Sequence, residues 1–264
     1  MDLRLDGKYA VITGGSSGIG FAVASELAKE GVNPAIIART EKKLKDATEK
    51  IESTHSVDVL PVQADVTRKE DIERAVSKIK DFTGRVDVLV NNAGTGSNED
   101  IVDSTDEKWQ YFWDLHLMAA VRFVRGLVPM MRGEGDAAII NTASICAKQP
   151  LDYEPIYNTT KAALVMFSKC LANELVEDGI RVNAVNPGLV LTSDWKNTAS
   201  ELTEGKDMTE DEYFKQIAEE KAPIGRFANP EEIAHLYAFL SSPLASYCTG
   251  STYYIDGGWL NTTV

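Results

Sequence analysis

The sequence predicts an α/β fold built on a doubly wound parallel sheet, and three observations carry that prediction. Short apolar runs alternate with segments of helical period through most of the chain. A glycine-rich turn joins the first run to the first helical segment. Small polar residues recur just past the carboxyl ends of the runs, where a sheet of this kind holds its ligands.

Composition sets the outer bounds. A chain of 264 residues fits one large α/β domain or two small ones, and 44% hydrophobic content supports a sizeable core. No stretch approaches the roughly 18 uninterrupted apolar residues of a membrane span, and no charged-then-apolar leader precedes a small-residue cleavage site. The expectation is a soluble, unprocessed protein. Net charge is −13 and no Lys/Arg stripe forms, which argues against nucleic acid or an anionic membrane as partner. Cys146, Cys170 and Cys248 are odd in number and form no Cys-x-x-Cys pair, so neither a disulfide framework nor a metal site is indicated. A reducing cytoplasm fits that usage.

Taken in order, Tyr9-Ala10-Val11-Ile12 reads as a strand that runs into Thr13-Gly14-Gly15-Ser16-Ser17-Gly18-Ile19-Gly20. Beyond it Ala22, Val23, Leu27 and Ala28 recur at helical spacing. Glycines leave no Cβ where the chain turns, so a pyrophosphate can approach the N–H groups of a helix N-terminus. A plain strand-to-helix turn is the competing reading, because Gly-x-x-x-Gly-x-Gly departs from the usual Gly-x-Gly-x-x-Gly. The second strand, residues 34–38, ends in Ala38-Arg39-Thr40. A carboxylate there would bind the ribose 2′-hydroxyl of NAD; a guanidinium there suits the 2′-phosphate of NADP. Arg39 otherwise serves as a solvated residue at the start of a helix over 41–51.

The third strand, residues 57–62, leads into Gln63-Ala64-Asp65-Val66-Thr67. Asp65 is placed to receive an adenine amine, or equally to cap a helix over 67–82. A fourth strand over 86–90 ends in Asn91-Asn92-Ala93-Gly94. The long helical pattern over 106–132 carries Phe112, Leu115, Leu117, Ala119, Ala120, Phe123, Leu127 and Met131. That surface is wider than one sheet face needs, so part of it is expected to pack on another subunit. The fifth strand, residues 137–141, delivers Ser144, and a sixth over 181–185 ends in Asn186-Pro187-Gly188.

The stretch Tyr157-Asn158-Thr159-Thr160-Lys161 lies thirteen residues past Ser144. If the apolar spacing of 162–176 extends back as helix, Tyr157 and Lys161 stand one turn apart on one face. A free phenol titrates near pH ~10, so a tyrosine acid/base needs a cation beside it, and Lys161 is placed to lower its pKa. Ser144 would then hydrogen-bond the oxygen that gains or loses the proton. Taken alone the spacing is weak: a half-buried tyrosine and a solvated lysine would read the same way.

In combination these segments resemble the short-chain dehydrogenase/reductase family, of the classical subfamily by length and spacing. The matching features are residues 13–20, Asp65, residues 91–94, Ser144, Tyr157, Lys161, Pro187-Gly188 with Thr192, and Asp256-Gly257-Gly258, and they span nearly the whole chain. The resemblance implies a single Rossmann-type domain over 1–264 with about seven strands, NAD(P)-dependent carbonyl/alcohol chemistry, and a homotetramer or dimer. It makes Tyr157 the acid/base, Lys161 the group that lowers its pKa and holds the nicotinamide ribose, and Ser144 the group that steadies the substrate oxygen. The cofactor residues it implies are Gly14, Ser16, Ser17, Gly18, Ile19, Gly20, Arg39, Thr40, Asp65, Val66, Asn92, Ala93, Gly94, Tyr157, Lys161, Pro187, Gly188, Val190 and Thr192. NADP is expected, with NAD as the alternative.

One position departs from the family. It commonly has an Asn 28 residues before the catalytic serine, water-linked to the lysine in part through its main-chain carbonyl, and here that residue is His116. An imidazole can hydrogen-bond there, join the proton relay, or remain an uncharged structural group. The family places a substrate lid over 190–222, where residues 207–220 read as a polar helix. Trp195, Leu202, Ile145, Leu151 and Tyr153 are candidate pocket walls or simply lid packing. Family members that act on acyl carrier protein dock it with a basic residue at the position of Asp178; Glu134 and Glu177 are acidic too, which disfavours so acidic a partner. The expected substrate is a small carbonyl compound or its secondary alcohol. An NAD-dependent alcohol or sugar dehydrogenase, and a catalytically silent NADP-binding scaffold, are the alternatives.

Overall fold

A computed structural model describes residues 2–133, 135–151 and 153–262. Its seven strands are β1 (Tyr9–Thr13), β2 (Asn33–Ala38), β3 (Leu60–Gln63), β4 (Val88–Asn91), β5 (Ala137–Thr142), β6 (Ile180–Pro187) and β7 (Thr252–Ile255). They form one parallel sheet in the order β3-β2-β1-β4-β5-β6-β7. The order reverses between β1 and β4, and a crevice at such a switch point is where open α/β sheets bind ligands.

Helices cover both faces because successive strand residues point to opposite sides. On one side Ile12, Ile36, Val90, Ile140 and Val185 pack with Val23 and Leu27 of α1 (Gly18–Lys29), Leu44 and Ile51 of α2 (Glu41–Thr54) and Ile233 and Tyr237 of a later helix over Pro230–Ser241. On the other, Val11, Ile37, Leu89, Ile139 and Val182 pack with Ile79 of α3 (Lys69–Phe82) and with Phe123 and Leu171. The strands of the sheet's centre are buried on both faces, which is why they read as continuous apolar runs.

Several elements differ from the sequence reading. The helix expected over 106–132 is three pieces: α4 (Asp106–Trp113), a π-helical turn over Asp114–Met118, and α5 (Ala119–Met131). A π-helical turn widens the helix by a residue, and this one carries His116. The third strand starts at Leu60 rather than 57, because side chains claim the preceding backbone: Asp58 N–H donates to Asn33 Oδ1 at 2.9 Å and Val59 N–H to Glu52 Oε1 at 3.2 Å. Helix α6 (Pro155–Leu175) begins ahead of Tyr157, with Pro155 in its first turn. The segment after β6 holds two helices, α7 (Ser193–Thr203) and α8 (Glu210–Lys221), the first of which the sequence pattern did not show. Helix α9 (Pro230–Ser241) and β7 complete the fold. Glu134 lies outside the described residues. Among the described residues, no helix is long and apolar enough to cross a membrane.

Candidate active site

The carboxyl ends of β1, β4, β5 and β6 bring the predicted residues to one edge of the sheet. Gly14 and Gly18 adopt φ of 69° and 54°, a left-handed conformation that favours glycine. A Cβ on Gly20 would run into the Gly14 carbonyl, so the turn can close only without one. Ser17 caps α1 with no side-chain hydrogen bond to the helix. The next strand end is pinned to the first: Asn92 and Ala93 N–H donate to Thr13 Oγ1 at 2.9 and 3.0 Å, and Asn92 Nδ2 donates to the Thr13 carbonyl at 3.1 Å. A Cβ on Gly94 would lie 3.3 Å from Lys161 Nζ, so the strand end passes directly over the lysine.

Arg39 and Thr40 are exposed at the end of β2. Asp65 Oδ1 accepts from the backbone and hydroxyl of Thr67 at 3.0 and 2.7 Å, and the cap position of α3 belongs to Arg68. Helix capping by Asp65 is thereby excluded, and the carboxylate sits in a local turn beside buried Val66. On the far side, a Cβ on Gly188 would approach Asp256 Cα to 2.8 Å, Val190 is buried, and Thr192 caps α7. The Thr192 methyl is 3.5 Å from where a Cβ on Gly18 would be, so the start of α7 touches the glycine turn. Thr95 Oγ1 donates to Asp194 Oδ2 at 3.3 Å and joins the loop after β4 to the same helix.

Tyr157 and Lys161 share one face of α6, with Nζ 5.4 Å from the centre of the tyrosine ring. Ser144 follows β5, where its hydroxyl accepts from Cys146 N–H at 3.3 Å and meets the Tyr157 phenol. The expected effect of Lys161 on that phenol requires correction. Burial pushes the phenol's pKa up, the nearby Cys146 and Glu154 push it further, and the Ser144 hydrogen bond only partly opposes them. Lys161 stands beside the ring with its ammonium donating to the Thr142 carbonyl at 2.8 Å, and burial brings its own pKa down to about 8.

His116 is buried with both ring nitrogens engaged. Nε2 lies 3.1 Å from the Thr95 carbonyl, which can only accept, so Nε2 carries the proton. Nδ1, 2.8 Å from Thr160 Oγ1, is then an acceptor, and it shares the Thr160 hydroxyl proton with the Tyr157 carbonyl at 3.1 Å. Burial first, and the Lys161 charge second, hold its pKa well below 6.5, so the ring is neutral. It joins the loop after β4 to α6.

Sequence reasoning missed Glu154 and Glu99. Glu154 immediately precedes α6, and burial together with the charge of Glu99 raises its carboxyl to about 7. Glu99 accepts from the Ile156 N–H at 3.1 Å and pairs with Lys108 at 2.9 Å, fixing the start of α6. A carboxyl three residues ahead of the key tyrosine is the one signal that could have found Glu154, and glutamates are too common for it to stand out. Cys146 is buried and its thiol is pushed up to about 12, leaving it protonated. Of the expected walls, Ile145, Leu151 and Trp195 join a cluster with Leu189, Ala218, Ala222, Phe227, Trp259 and Leu260, whereas Leu202 and Tyr153 are 45% and 47% exposed.

A glycine cradle at a sheet switch point, beside a tyrosine, a lysine and a serine, defines an NAD(P)-dependent oxidoreductase. Comparison with known proteins agrees. A family model described as enoyl-(acyl carrier protein) reductase matches residues 14–260. The chain is 53% identical to L-sorbose reductase of Gluconobacter frateurii, solved with NADPH and L-sorbose, with 100% of each chain covered and a TM-score of 0.98. It is 34% identical to the oxidoreductase YvaG of Bacillus subtilis, covering 98% of each chain. It is 32% identical to the 3-oxoacyl-[acyl-carrier-protein] reductase FabG of Aquifex aeolicus, covering 98% of this chain and 99% of that one. The chain belongs to the short-chain dehydrogenase/reductase family.

Proposed function

We propose that this protein is an NADPH-dependent reductase of a small polyhydroxy ketone. The observation that carries this reading is the meeting of Ser144, Tyr157 and Lys161 in a scaffold that superposes at TM-score 0.98 on an L-sorbose reductase. The residues fit the cofactor: the Gly14–Gly20 turn leaves room for a pyrophosphate, and Arg39 at the β2 edge suits a 2′-phosphate. When bound, the cofactor supplies hydride to the carbonyl carbon.

The chain's own groups do the rest. Ser144 and Tyr157 hydrogen-bond the carbonyl oxygen; the raised phenol is protonated at neutral pH and is the group that gives that oxygen its proton, a transfer that the positive charge of Lys161 favours by stabilising the phenolate. Lys161 would hold the nicotinamide ribose and places positive charge beside the phenolate that proton transfer leaves, and neutral His116 keeps α6 and the loop after β4 in register. Glu154 offers a carboxyl that can accept or donate at neutral pH, suited to a substrate hydroxyl. Residues 190–222 act as lid over this site, with Trp195 packed edge-on against Phe227 at 5.2 Å. We do not infer an acyl-carrier partner, since Asp178 stands where a basic residue would dock it and is paired to Arg132 at 2.9 Å. Exposed Tyr111 and Trp113 on α4 support assembly as a homotetramer or dimer.

The test is NADPH oxidation with a panel of ketoses, simple ketones and acyl thioesters, alongside Tyr157→Phe. Ketose turnover that falls by about 100-fold or more in the variant is expected. A preference for thioesters, or undiminished turnover in the variant, would refute the reading.

A further inference from the structure

Tyr237 of α9 is fully buried in the apolar layer between that helix and the sheet, with Val185, Ile140 and Ile233 in the same cluster. Its hydroxyl needs a partner there and has Thr142 Oγ1 at 2.8 Å. Thr142 is the last residue of β5, two before Ser144, and its carbonyl accepts the Lys161 ammonium at 2.8 Å. Among the described residues, Lys161 Nζ donates to this carbonyl alone.

We propose that the Thr142–Tyr237 hydrogen bond is a positioning device that acts from the opposite face of the sheet and fixes the peptide carbonyl that holds Lys161. The end of β5 is clamped on both faces. Asn141 points to the α6 side and donates to Ser168 at 2.8 Å, while Thr142 points to the α9 side and pairs with Tyr237. Ala143 N–H continues the ladder to the Val185 carbonyl at 2.8 Å. A Val/Phe pair would fill the same volume without desolvating two hydroxyls, so the polar pair adds little net stability. What it adds is direction: a buried, satisfied hydrogen bond admits one arrangement of the groups that make it. The carbonyl of Thr142 thereby keeps one orientation, and the ammonium it holds stays beside Tyr157. Tyr237 touches neither substrate nor cofactor in this scheme.

The proposal rests on the role assigned above to Lys161, and its test separates the two. Tyr237→Phe, Thr142→Val and the double variant are compared with the wild-type chain. The double variant replaces both hydroxyls by apolar isosteres and is expected to melt within about 4 °C of wild type. Titration of Lys161 by NMR of 15N-lysine-labelled protein needs neither cofactor nor substrate. The groups facing Nζ, which are the Tyr157 ring, His116 and Cys146, are unchanged in every variant, so a shift reports the Thr142 carbonyl. The expected result is a lower Lys161 midpoint in all three variants, with NADPH dissociation constants raised about five- to tenfold. Wild-type titration and wild-type NADPH affinity in the double variant would overturn the proposal, even if the single variants lose stability. Failure of the functional reading shows differently, as no ketose turnover by wild type while the lysine titration still responds.

Discussion

His116 stands edge-on to Tyr157, their ring centres 5.3 Å apart and their planes at 82°. The neutral ring touches the tyrosine proposed as acid/base while its own nitrogens are engaged by Thr95 and Thr160. Replacing His116 by Phe keeps an aromatic ring there and strips both hydrogen bonds, leaving the part-buried Thr95 carbonyl without its donor, while the Thr160 hydroxyl keeps the Tyr157 carbonyl at 3.1 Å. The expected loss in kcat/KM is about 10- to 100-fold. Steady-state kinetics from about pH 6 to 8 check the second half of the argument: an inflection present in wild type and absent in the variant would make His116 a titrating relay after all.

The same histidine sets the sign of one acid effect on stability. Its folded pKa is depressed below 6.5, so as pH falls through that value the unfolded chain takes up the proton first. Its contribution is fully present above about pH 6.5 and is lost below it, at up to about 1.4 kcal/mol per pH unit. Urea unfolding of wild type and His116→Phe from about pH 7 to 5 should therefore converge. Parallel curves would show that the buried ring accepts a proton freely.

Glu154 works in the opposite direction. Its carboxyl is raised from 4.5 to about 7 in the folded chain, so the folded state binds the proton more tightly. The stability this gives is full below about pH 4.5 and lost as pH rises through about 7. Glu154→Gln cannot ionise, and it should gain on wild type by about 2 kcal/mol between about pH 5 and 8. Equal slopes in thermal unfolding across that range would remove Glu154 from the set of perturbed groups.

Arg39→Ala tests the cofactor choice. Loss of a charge-assisted contact to a 2′-phosphate weakens NADPH binding by about 10- to 100-fold and leaves NADH nearly unchanged. Fluorescence titration of both nucleotides decides it; an unchanged NADPH affinity would reassign Arg39 as a solvated residue of the α2 start.

Gly20→Ala tests the cradle. Its new Cβ would collide with the Gly14 carbonyl, so the turn must open; we expect a loss of about 2 kcal/mol or more and little NADPH binding. Gly84→Ala, where a Cβ meets nothing within 4 Å, is the control. Equal melting and binding in the two variants would mean that the turn adapts.

The alternation of apolar runs and helical segments made the parallel sheet legible, and the intervals among Ser144, Tyr157 and Lys161, read with the other family-like segments, pointed to the chemistry proposed above, because both are encoded by near neighbours in sequence or by family-like intervals. Helix α7 stayed hidden because its composition is mixed and one residue, Ala199, is buried. The π-helical turn at Asp114–Met118 has no period that could be told from an α-helix in so short a stretch. Glu154 and Tyr237 looked ordinary in sequence, since nothing local says which neighbour a side chain will meet.

Sequence by itself determined the alternation of strands and helices along the sheet, the glycine turn and the candidates for the reacting side chains, since each follows from residue type and spacing along the chain. Only the tertiary structure decided their electrostatics. Burial pushes the phenol up, brings Lys161 down to about 8 and keeps His116 neutral, and burial depends on packing between segments far apart in the chain. Thr142 illustrates the division: its place at the end of β5 is local, but the partners that fix it, Lys161 and Tyr237, lie nineteen and 95 residues away.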